Sequence, residues 1–573
     1  MSANDEFTSL KDPEQFAVER LVESGADVGR DPDSVAIVDG DRTRTYAQLN
    51  DAASRVANGL AGLGLAHDDR VAFVGRNCVE SAELMLGAAR AGVVLTIVNW
   101  RLQPGELSFV LHDSAAVVVV TTIEFAETLR ALPEIAGVRQ FLVVDSPIPA
   151  DDWSAWIGRQ PLGAVTVERN PNDVVVQLYT SGTTGRPKGA MLTRSSLAAC
   201  IPDTAALWEL DQTSVVLSVL PMFHIAGAGT LLGALWAGCR LIMDNDASTT
   251  GILRAVERHR VTNLVLASVM LQGLVRSPEC ATADLSSVRT VSYGAAPIPS
   301  DVLNAARAKL PCRIMQPYGL TETTGVLTVL GAQDHAFDPN GPDAPAAVAR
   351  LRSCGRPRAG VEIRVVDIQT GSPLAAGESG EVQARSPRLM AGYWNQPEAT
   401  AEVLLPDGWF RTGDVGQVDE DGYLSCSTAS RTPSSPAART STRPKSKRSF
   451  TPTRASPRLR SSAFLTSAGA RRPWRSSSAT PDPTSAKPTS SPSPAPILPD
   501  TSVRAASSSP MRSPATRRAR SSDERCASRT GAGMSAASTS AAQRADQGWA
   551  GRCSPRATPD RPAPRGSQGP GGP

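Results

Sequence analysis

Neither a membrane-spanning run, a cysteine framework nor an export leader is expected from this sequence. No apolar stretch approaches the ~18 residues needed to cross a bilayer, so no transmembrane segment is expected. The nine cysteines are scattered, with no C-x-x-C pair, which argues against both a structural zinc site and a disulfide framework. The opening Met1-Ser2-Ala3-Asn4-Asp5-Glu6 is acidic and polar, unlike a signal peptide. A reduced, cytoplasmic setting is the expectation.

Charge is scarce in total and uneven in place. The formal net charge of +3 conceals 25 Lys/Arg against 6 Asp/Glu from Cys426 onward, which leaves 34 against 50 in the rest of the 573 residues. Such a split ordinarily marks an acidic body with a basic arm for nucleic acid or membrane. Composition argues otherwise here. From Ser425 the chain is dominated by Ser, Arg, Pro, Ala and Thr, with few aliphatics and no helical or strand period. Such a segment cannot bury enough apolar surface to offset chain entropy. Residues 425–573 are therefore expected to be a low-complexity, disordered tail, and no specific nucleic-acid partner is implied.

The rest is long enough for more than one core. A polar lead, residues 1–30, carries one amphipathic helix around Phe16 to Val22. Val35-Ala36-Ile37-Val38 followed by Asp39-Gly40-Asp41 reads as a hairpin. Tyr46 to Leu65 has apolar residues at helical spacing, with Gly64 suited to end it. Strands at Val71–Val74, Val93–Val98 and Val117–Val120 alternate with a helix over Ser81–Ala91, the pattern of a buried parallel α/β sheet. Further buried strands are expected at Val215–Leu220, Asn263–Ala267 and Val288–Ser292. Val361–Val366 and Glu381–Ala384 alternate instead as antiparallel strands.

Between a β-branched run, Val174–Leu178, and the helix-starting hydroxyls of Thr193-Arg194-Ser195-Ser196 lies Thr180-Ser181-Gly182-Thr183-Thr184-Gly185-Arg186-Pro187-Lys188-Gly189. Glycines let backbone N–H groups approach an anion, hydroxyls add donors, and lysine adds a point charge. A Walker loop has four residues between its glycines and ends in Gly-Lys-Ser/Thr. Here Gly182 and Gly185 are closer, and Lys188 precedes its glycine. A lone glycine pair would read as a flexible turn; the unbroken string is far more specific. It resembles the phosphate-binding signature of the AMP-forming adenylating enzymes: acyl-CoA synthetases, peptide-synthetase adenylation domains and luciferases.

Two further strings carry the same resemblance. In Gln316-Pro317-Tyr318-Gly319-Leu320-Thr321-Glu322-Thr323-Thr324-Gly325, the tyrosine offers a stacking face, Thr321 a hydroxyl, and Glu322 the hard oxygen that Mg²⁺ prefers. In Asp407-Gly408-Trp409-Phe410-Arg411-Thr412-Gly413-Asp414, an aspartate after a tight turn can accept ribose hydroxyls. Tyr293-Gly294-Ala295-Ala296-Pro297 supplies small residues against which a flat ring can lie.

The resemblance implies an α/β fold: a large multi-layer domain, residues 31–424, with two parallel-rich sheets flanked by helices. Residues 350–424, including Gly392-Tyr393-Trp394, would form a small β-barrel part. It also implies an acid–CoA ligase using ATP, Mg²⁺ and coenzyme A. Thr180, Ser181, Gly182, Thr183, Thr184, Gly185 and Lys188 would hold phosphates, with Thr184, Lys188 and Glu322 nearest the chemistry and Glu322 on the metal. Gly294, Ala295, Ala296, Pro297, Gln316, Tyr318, Gly319 and Thr321 would surround the nucleotide, and Asp414 the ribose. His224, Val291, Gly294 and Thr323 would line the acid pocket, a small apolar set suited to a fatty or aromatic carboxylic acid. A nucleotide- or acid-binding pseudo-enzyme and a fatty-acyl-AMP ligase loading a carrier protein are the competing readings. Oligomeric state is left open, a homodimer being admitted.

The resemblance ends near Leu424, where the family continues into a mobile lid carrying a catalytic lysine. The Ser/Arg/Pro/Ala enrichment beyond is what a GC-rich gene yields when read one base out of phase. The tail is accordingly expected to be a frameshifted reading of the lid.

Overall fold

The structure, a computed structural model, describes residues 16–23, 29–181, 186–296, 298–337, 341–342 and 344–427. Of the segment 425–573 expected to be disordered, residues 425–427 instead belong to the strand Leu424–Ser427, paired with Phe410–Val418, and residues 428–573 lie outside the described residues, as does most of the lead.

Two mixed sheets form the body. One has seven strands in the spatial order Gly392–Tyr393, Pro187–Thr193, Val174–Ser181, Val94–Val98, Arg70–Val74, Ala116–Thr122 and Gln140–Val144. Its last five are parallel and the first two antiparallel. The second has nine strands in the order Arg356–Pro357, Gly325–Leu330, Arg313–Leu320, Thr290–Gly294, Asn263–Ala267, Val215–Ser218, Arg240–Met243, Val35–Asp39 and Arg42–Thr45. Six central strands run parallel, with antiparallel pairing confined to its two margins. Parallel strands covered by helices on both faces need apolar residues on both faces. Arg70–Val74, Val94–Val98 and Asn263–Ala267 are buried along their whole length.

The helices start where the sequence places caps. Thr45 and Gln48 form a reciprocal capping box at the head of Tyr46–Gly62, and Thr193 with Ser196 does the same for Arg194–Leu207. The hydroxyl of buried Tyr46 reaches across to the Cys239 carbonyl at 2.8 Å, tying the first helix to the nine-stranded sheet. Among the described residues no helix is long and apolar enough to cross a membrane.

Three expectations change. The helix expected around Phe16 to Val22 is a single 3₁₀ turn, Val18–Arg20. Its apolar residues anchor the lead to the core, Phe16 lying 5.5 Å from the ring of Trp236. The glycine-rich loop leads first into a strand, Pro187–Thr193, that folds back on Val174–Ser181 before the helix begins. Gly392-Tyr393-Trp394 belongs to the seven-stranded sheet rather than the barrel part: Tyr393 pairs with Ala190, and the Trp394 amide donates to Gly189 O at 2.8 Å. What remains of the barrel part is an antiparallel sheet of four strands, Glu362–Val366, Gly380–Arg385, Phe410–Val418 and Leu424–Ser427.

Candidate nucleotide and acid site

The strands on either side of the glycine-rich loop pair antiparallel, with Thr180 directly opposite Lys188. Gly182, Thr183, Thr184 and Gly185 lie outside the described residues, as does the side chain of Ser181. Lys188 is buried, and its Nζ sits 5.0 Å from the centroid of the Tyr393 ring. A lysine stem packed in the protein with its ammonium over a π face is a cation held in place before any anion arrives.

Glu322 faces this hairpin from a 3₁₀ turn, Thr321–Thr323. The turn is rigid because the Thr323 hydroxyl accepts from Leu320 N at 3.0 Å and lies 2.9 Å from Gly325 O. Met390 N donates to the Glu322 carbonyl at 2.9 Å. The buried Glu322 carboxylate receives Tyr393 OH at 2.8 Å and Thr180 Oγ1 at 3.4 Å, both on Oε1. Among the described residues no group of three or more His, Cys, Asp or Glu gathers into a metal site. A cation here would rest on one carboxylate, with a hydroxyl beside it and nucleotide oxygens completing its shell. That donor set fits Mg²⁺, which keeps few protein ligands when it also binds phosphates.

The strand Thr290–Gly294 ends in the small-residue shelf. A Cβ on Gly294 would stand 3.0 Å from Pro317 O, so glycine is what lets the two strand ends approach. Ala295 takes a left-handed backbone, φ +70°. Ser268 Oγ lies within hydrogen-bond distance of both Gly294 O (3.0 Å) and Ala296 O (2.6 Å), pinning the shelf from below. Ala295 and Ala296 are exposed; Pro297 lies outside the described residues.

Beside the shelf, Tyr318 OH donates to Asp414 Oδ2 at 2.7 Å. Burial first, and then the Asp414 charge, push the phenol well above its ordinary range, so it stays a neutral donor. This joins the stacking candidate to the ribose candidate across two sheets. Gln316 is turned away: its Oε1 accepts from buried Tyr293 OH at 3.0 Å, which supports the shelf from behind. Gly319 is steric, since a Cβ there would meet Gly325 O at 1.6 Å. Thr321 is buried on the turn that carries Glu322.

A cavity of about 180 Å³ joins this region to an apolar chamber. Gly294, Ala295 and Tyr318 line one side, and Ile201, Trp208 and Val265 the other. His224 lines it too, at the start of the helix Ile225–Ala237. That helix approaches because Gly227 leaves room, where a Cβ would lie 2.2 Å from Pro221 O. Burial, and secondarily the charge of Arg101, lower the His224 imidazole from 6.5 to about 4. Two residues expected on this wall lie elsewhere. Val291 packs into the core with Ile314, and the Thr323 hydroxyl is taken up by its own turn. Thr324 and Gly325 line the cavity in their stead.

Sequence reasoning also passed over several residues. Arg76 and Arg101, which line the cavity, both lie over the Trp100 ring at 4.8 Å. Asp203 ion-pairs with both Arg358 and Arg388, and Arg388 donates to Val326 O at 2.8 Å while its own carbonyl accepts from Thr324 Oγ1 at 2.7 Å. Burial would raise the Asp203 carboxyl, but the two arginines outweigh it and hold it below the ordinary range. This network fastens the cavity wall to the segment that supports Glu322.

Comparison with known proteins follows the same residues. The family profile described as AMP-binding enzyme matches residues 26–394. A feruloyl-CoA synthase from Amycolatopsis sp is 35% identical over 394 residues, 69% of this chain and 75% of that protein. The fatty acid–[acyl-carrier-protein] ligase ScoC of Streptomyces coeruleorubidus is 33% identical over 404 residues, 69% of this chain and 74% of that protein. The inhibitor-bound N-terminal domain of FACL13 from Mycobacterium tuberculosis superposes with a TM-score of 0.64 at 31% identity, over 72% of this chain and 99% of that one.

Proposed function

Because the chain belongs to the AMP-binding enzyme family, the AMP-forming acid–CoA ligases that work with ATP, Mg²⁺ and coenzyme A, we propose that its body binds MgATP beside a fatty or aromatic carboxylic acid and activates the acid as an acyl-adenylate. One observation carries this reading. A single cavity runs from the small-residue shelf at Gly294 and Ala295 to an apolar chamber walled by Ile201, Trp208 and Val265, so a nucleotide on the shelf and an acid in the chamber would share one cavity.

The residue roles follow from placement. Thr180 and Lys188, with residues 181–185 between them in sequence, hold the β- and γ-phosphates. Gly294, Ala295 and Ala296 receive adenine against Tyr318, and Asp414 accepts the ribose hydroxyls. Glu322 and Thr180 hold Mg²⁺, which when bound neutralises charge on the phosphates. His224 stays neutral and lines the acid's path, so it repels neither a carboxylate's apolar body nor the cationic Arg101. A carboxylate oxygen then bonds to the α-phosphorus, the α–β bridging P–O bond breaks, and pyrophosphate departs. A thiol later takes the acyl group and AMP leaves. The protein's part is positioning and charge neutralisation.

The segment beyond Leu424 bears on turnover. Read as an out-of-phase lid, it lacks the family's charged lysine, and loss of one preorganised charge costs ~10²-fold or more in rate. The test sets the chain as sequenced beside a version with the reading frame restored after codon 425. ATP–pyrophosphate exchange is measured with hydroxycinnamic and straight-chain acids, then thioester formation with CoA and with a phosphopantetheinyl carrier protein. The expected result is nucleotide binding by both and substantial exchange only by the restored protein. Equal rates, or no lid-like sequence in another frame, would end the lid argument. Absence of MgATP binding by a folded protein would end the whole reading.

A further inference from the structure

The strands Thr290–Gly294 and Arg313–Leu320 run side by side and then part. They pair at Thr290 with Arg313, Val291 with Ile314 and Ser292 with Met315. From Gln316 the second strand pairs instead with Gly325–Leu330, Gln316 standing opposite Leu330. The first strand keeps its other neighbour to the end, with Gly294 opposite Ala267. Past this fork lie the two walls proposed for adenine, the shelf at residues 294–296 and Tyr318.

One side-chain contact bridges the fork just beyond the last paired residues. Tyr293 OH donates to Gln316 Oε1 at 3.0 Å. The other neighbour of that hydroxyl is a histidine. The chain leaving Gly325–Leu330 turns at Gly331 into the short helix Ala332–His335, which brings His335 Nε2 to 3.1 Å from Tyr293 OH. The two rings meet edge to face, their centroids 5.8 Å apart. His335 Nδ1 lies 2.7 Å from Gly331 O. A carbonyl can only accept, so Nδ1 carries the hydrogen and Nε2 of the neutral ring is an acceptor. Burial is the main cause that lowers this imidazole below its ordinary value, and burial likewise raises the Tyr293 phenol, which keeps its hydrogen. One hydroxyl hydrogen is thus held between two acceptors, among side chains that are all buried.

The histidine's footing is firm. Its neighbour Asp334 accepts from Gly331 N at 2.9 Å and from Tyr423 OH at 2.7 Å, one bond on each carboxylate oxygen. Tyr423 is fixed in turn, its amide donating to Asp419 Oδ1 at 2.8 Å. In a buried polar chain of this kind, removing one member leaves the next without its partner.

We propose that His335 is a positioning residue for the nucleotide: it holds Tyr293 at the fork beside Gln316 and so sets the width of the slot between the shelf and Tyr318. Tyr293 lines the cavity and His335 does not, so the histidine acts through the tyrosine. The slot has little slack at its root, where a Cβ on Gly294 would stand 3.0 Å from Pro317 O. This inference rests on the adenine role proposed for the shelf and Tyr318. The phosphate groups proposed for Thr180 and Lys188 do not pass through it.

That separation supplies the test. MgATP and magnesium tripolyphosphate affinities are measured by calorimetry on the full chain, with urea midpoints in parallel. The variants are His335→Phe, His335→Gln, Tyr293→Phe and the double His335→Phe/Tyr293→Phe. His335→Phe should weaken MgATP about three- to tenfold, the worth of one neutral hydrogen bond, and leave tripolyphosphate unchanged. His335→Gln retains an acceptor for Tyr293 OH and should recover most of the loss. The double variant should match Tyr293→Phe alone, because both substitutions remove the same contact. Unchanged MgATP affinity in His335→Phe, an equal loss for MgATP and tripolyphosphate, or losses that add in the double variant would each overturn the proposal. A His335→Gln variant as weak as His335→Phe would overturn the acceptor role of Nε2. Should His335→Phe fail to fold, Tyr293→Phe decides, since it removes only the hydroxyl, and MgATP affinity equal to the parent would again overturn the proposal. Parent protein that binds tripolyphosphate as tightly as MgATP would overturn the adenine role of the shelf itself, whatever the variants do.

Discussion

Tyr393 donates a 2.8 Å hydrogen bond to Glu322 Oε1. The same ring faces the Lys188 ammonium at 5.0 Å. One side chain thus touches both the carboxylate proposed for the metal and the cation proposed for the phosphates.

Tyr393→Phe keeps the ring over Lys188 and removes only the hydroxyl. Partners of this kind orient metal ligands, and losing one costs ~10- to 100-fold in metal affinity. Mn²⁺ binding in the presence of ATP, followed by electron paramagnetic resonance, should weaken by that factor while unfolding stability changes little. An unchanged Mn²⁺ midpoint would leave Tyr393 a packing residue only.

Two glycines make opposite predictions. At Gly319 an added Cβ would stand 1.6 Å from the Gly325 carbonyl, backbone that cannot yield, so Gly319→Ala should cost about 4 kcal/mol or more and show as loss of folded protein. At Gly294 the added Cβ would stand 3.0 Å from Pro317 O, which small shifts can relieve. Gly294→Ala should fold, with urea midpoints close to the parent, but bind adenine nucleotide less tightly because the shelf is filled.

His224 gives a pH signature. The native state holds the imidazole near 4, whereas its ordinary value is 6.5. Between those values the unfolded chain binds the proton and the native state does not, so stability falls as pH drops through that window, by up to about 3 kcal/mol. His224→Gln should flatten this part of the profile. Denaturant melts at pH 7 and pH 5 read the difference; identical slopes for parent and variant would remove the histidine as its source.

Asp203 acts in a lower window. Its carboxyl is held below 3.8 by Arg358 and Arg388 against the cost of burial, so the stability it contributes is present above that value and lost as pH falls further. Asp203→Asn leaves the guanidinium of Arg388, only 2% exposed, without its counter-charge, and should cost ~3 kcal/mol at neutral pH. A chemical denaturation midpoint matching the parent at pH 7 would show that Asn satisfies the network.

The sequence by itself determined the strand–helix order of the parallel core, because fully buried strands must be apolar along their whole length and helices announce themselves through apolar spacing, as over Tyr46–Gly62, and through caps such as Thr193. It also singled out Thr180, Lys188, Glu322, Tyr318 and Asp414 as candidates, through a dense, unusual run of glycine, hydroxyl and lysine and through two further strings, Gln316–Gly325 and Asp407–Asp414. Only the tertiary structure decided which groups meet across long separations. Tyr393 reached Glu322 because Gly392–Tyr393 joined the seven-stranded sheet, and Gln316 turned toward Tyr293. Val291 and Thr323 left the cavity wall because strand packing and a 3₁₀ turn claimed their side chains. The Cys354–Gly355 turn met Leu424, some seventy residues on, through backbone hydrogen bonds of 2.6 and 2.8 Å. Local pattern reports what a residue's neighbours in sequence demand; these contacts depend on sheet order and register, which arise only when distant segments compete for the same core.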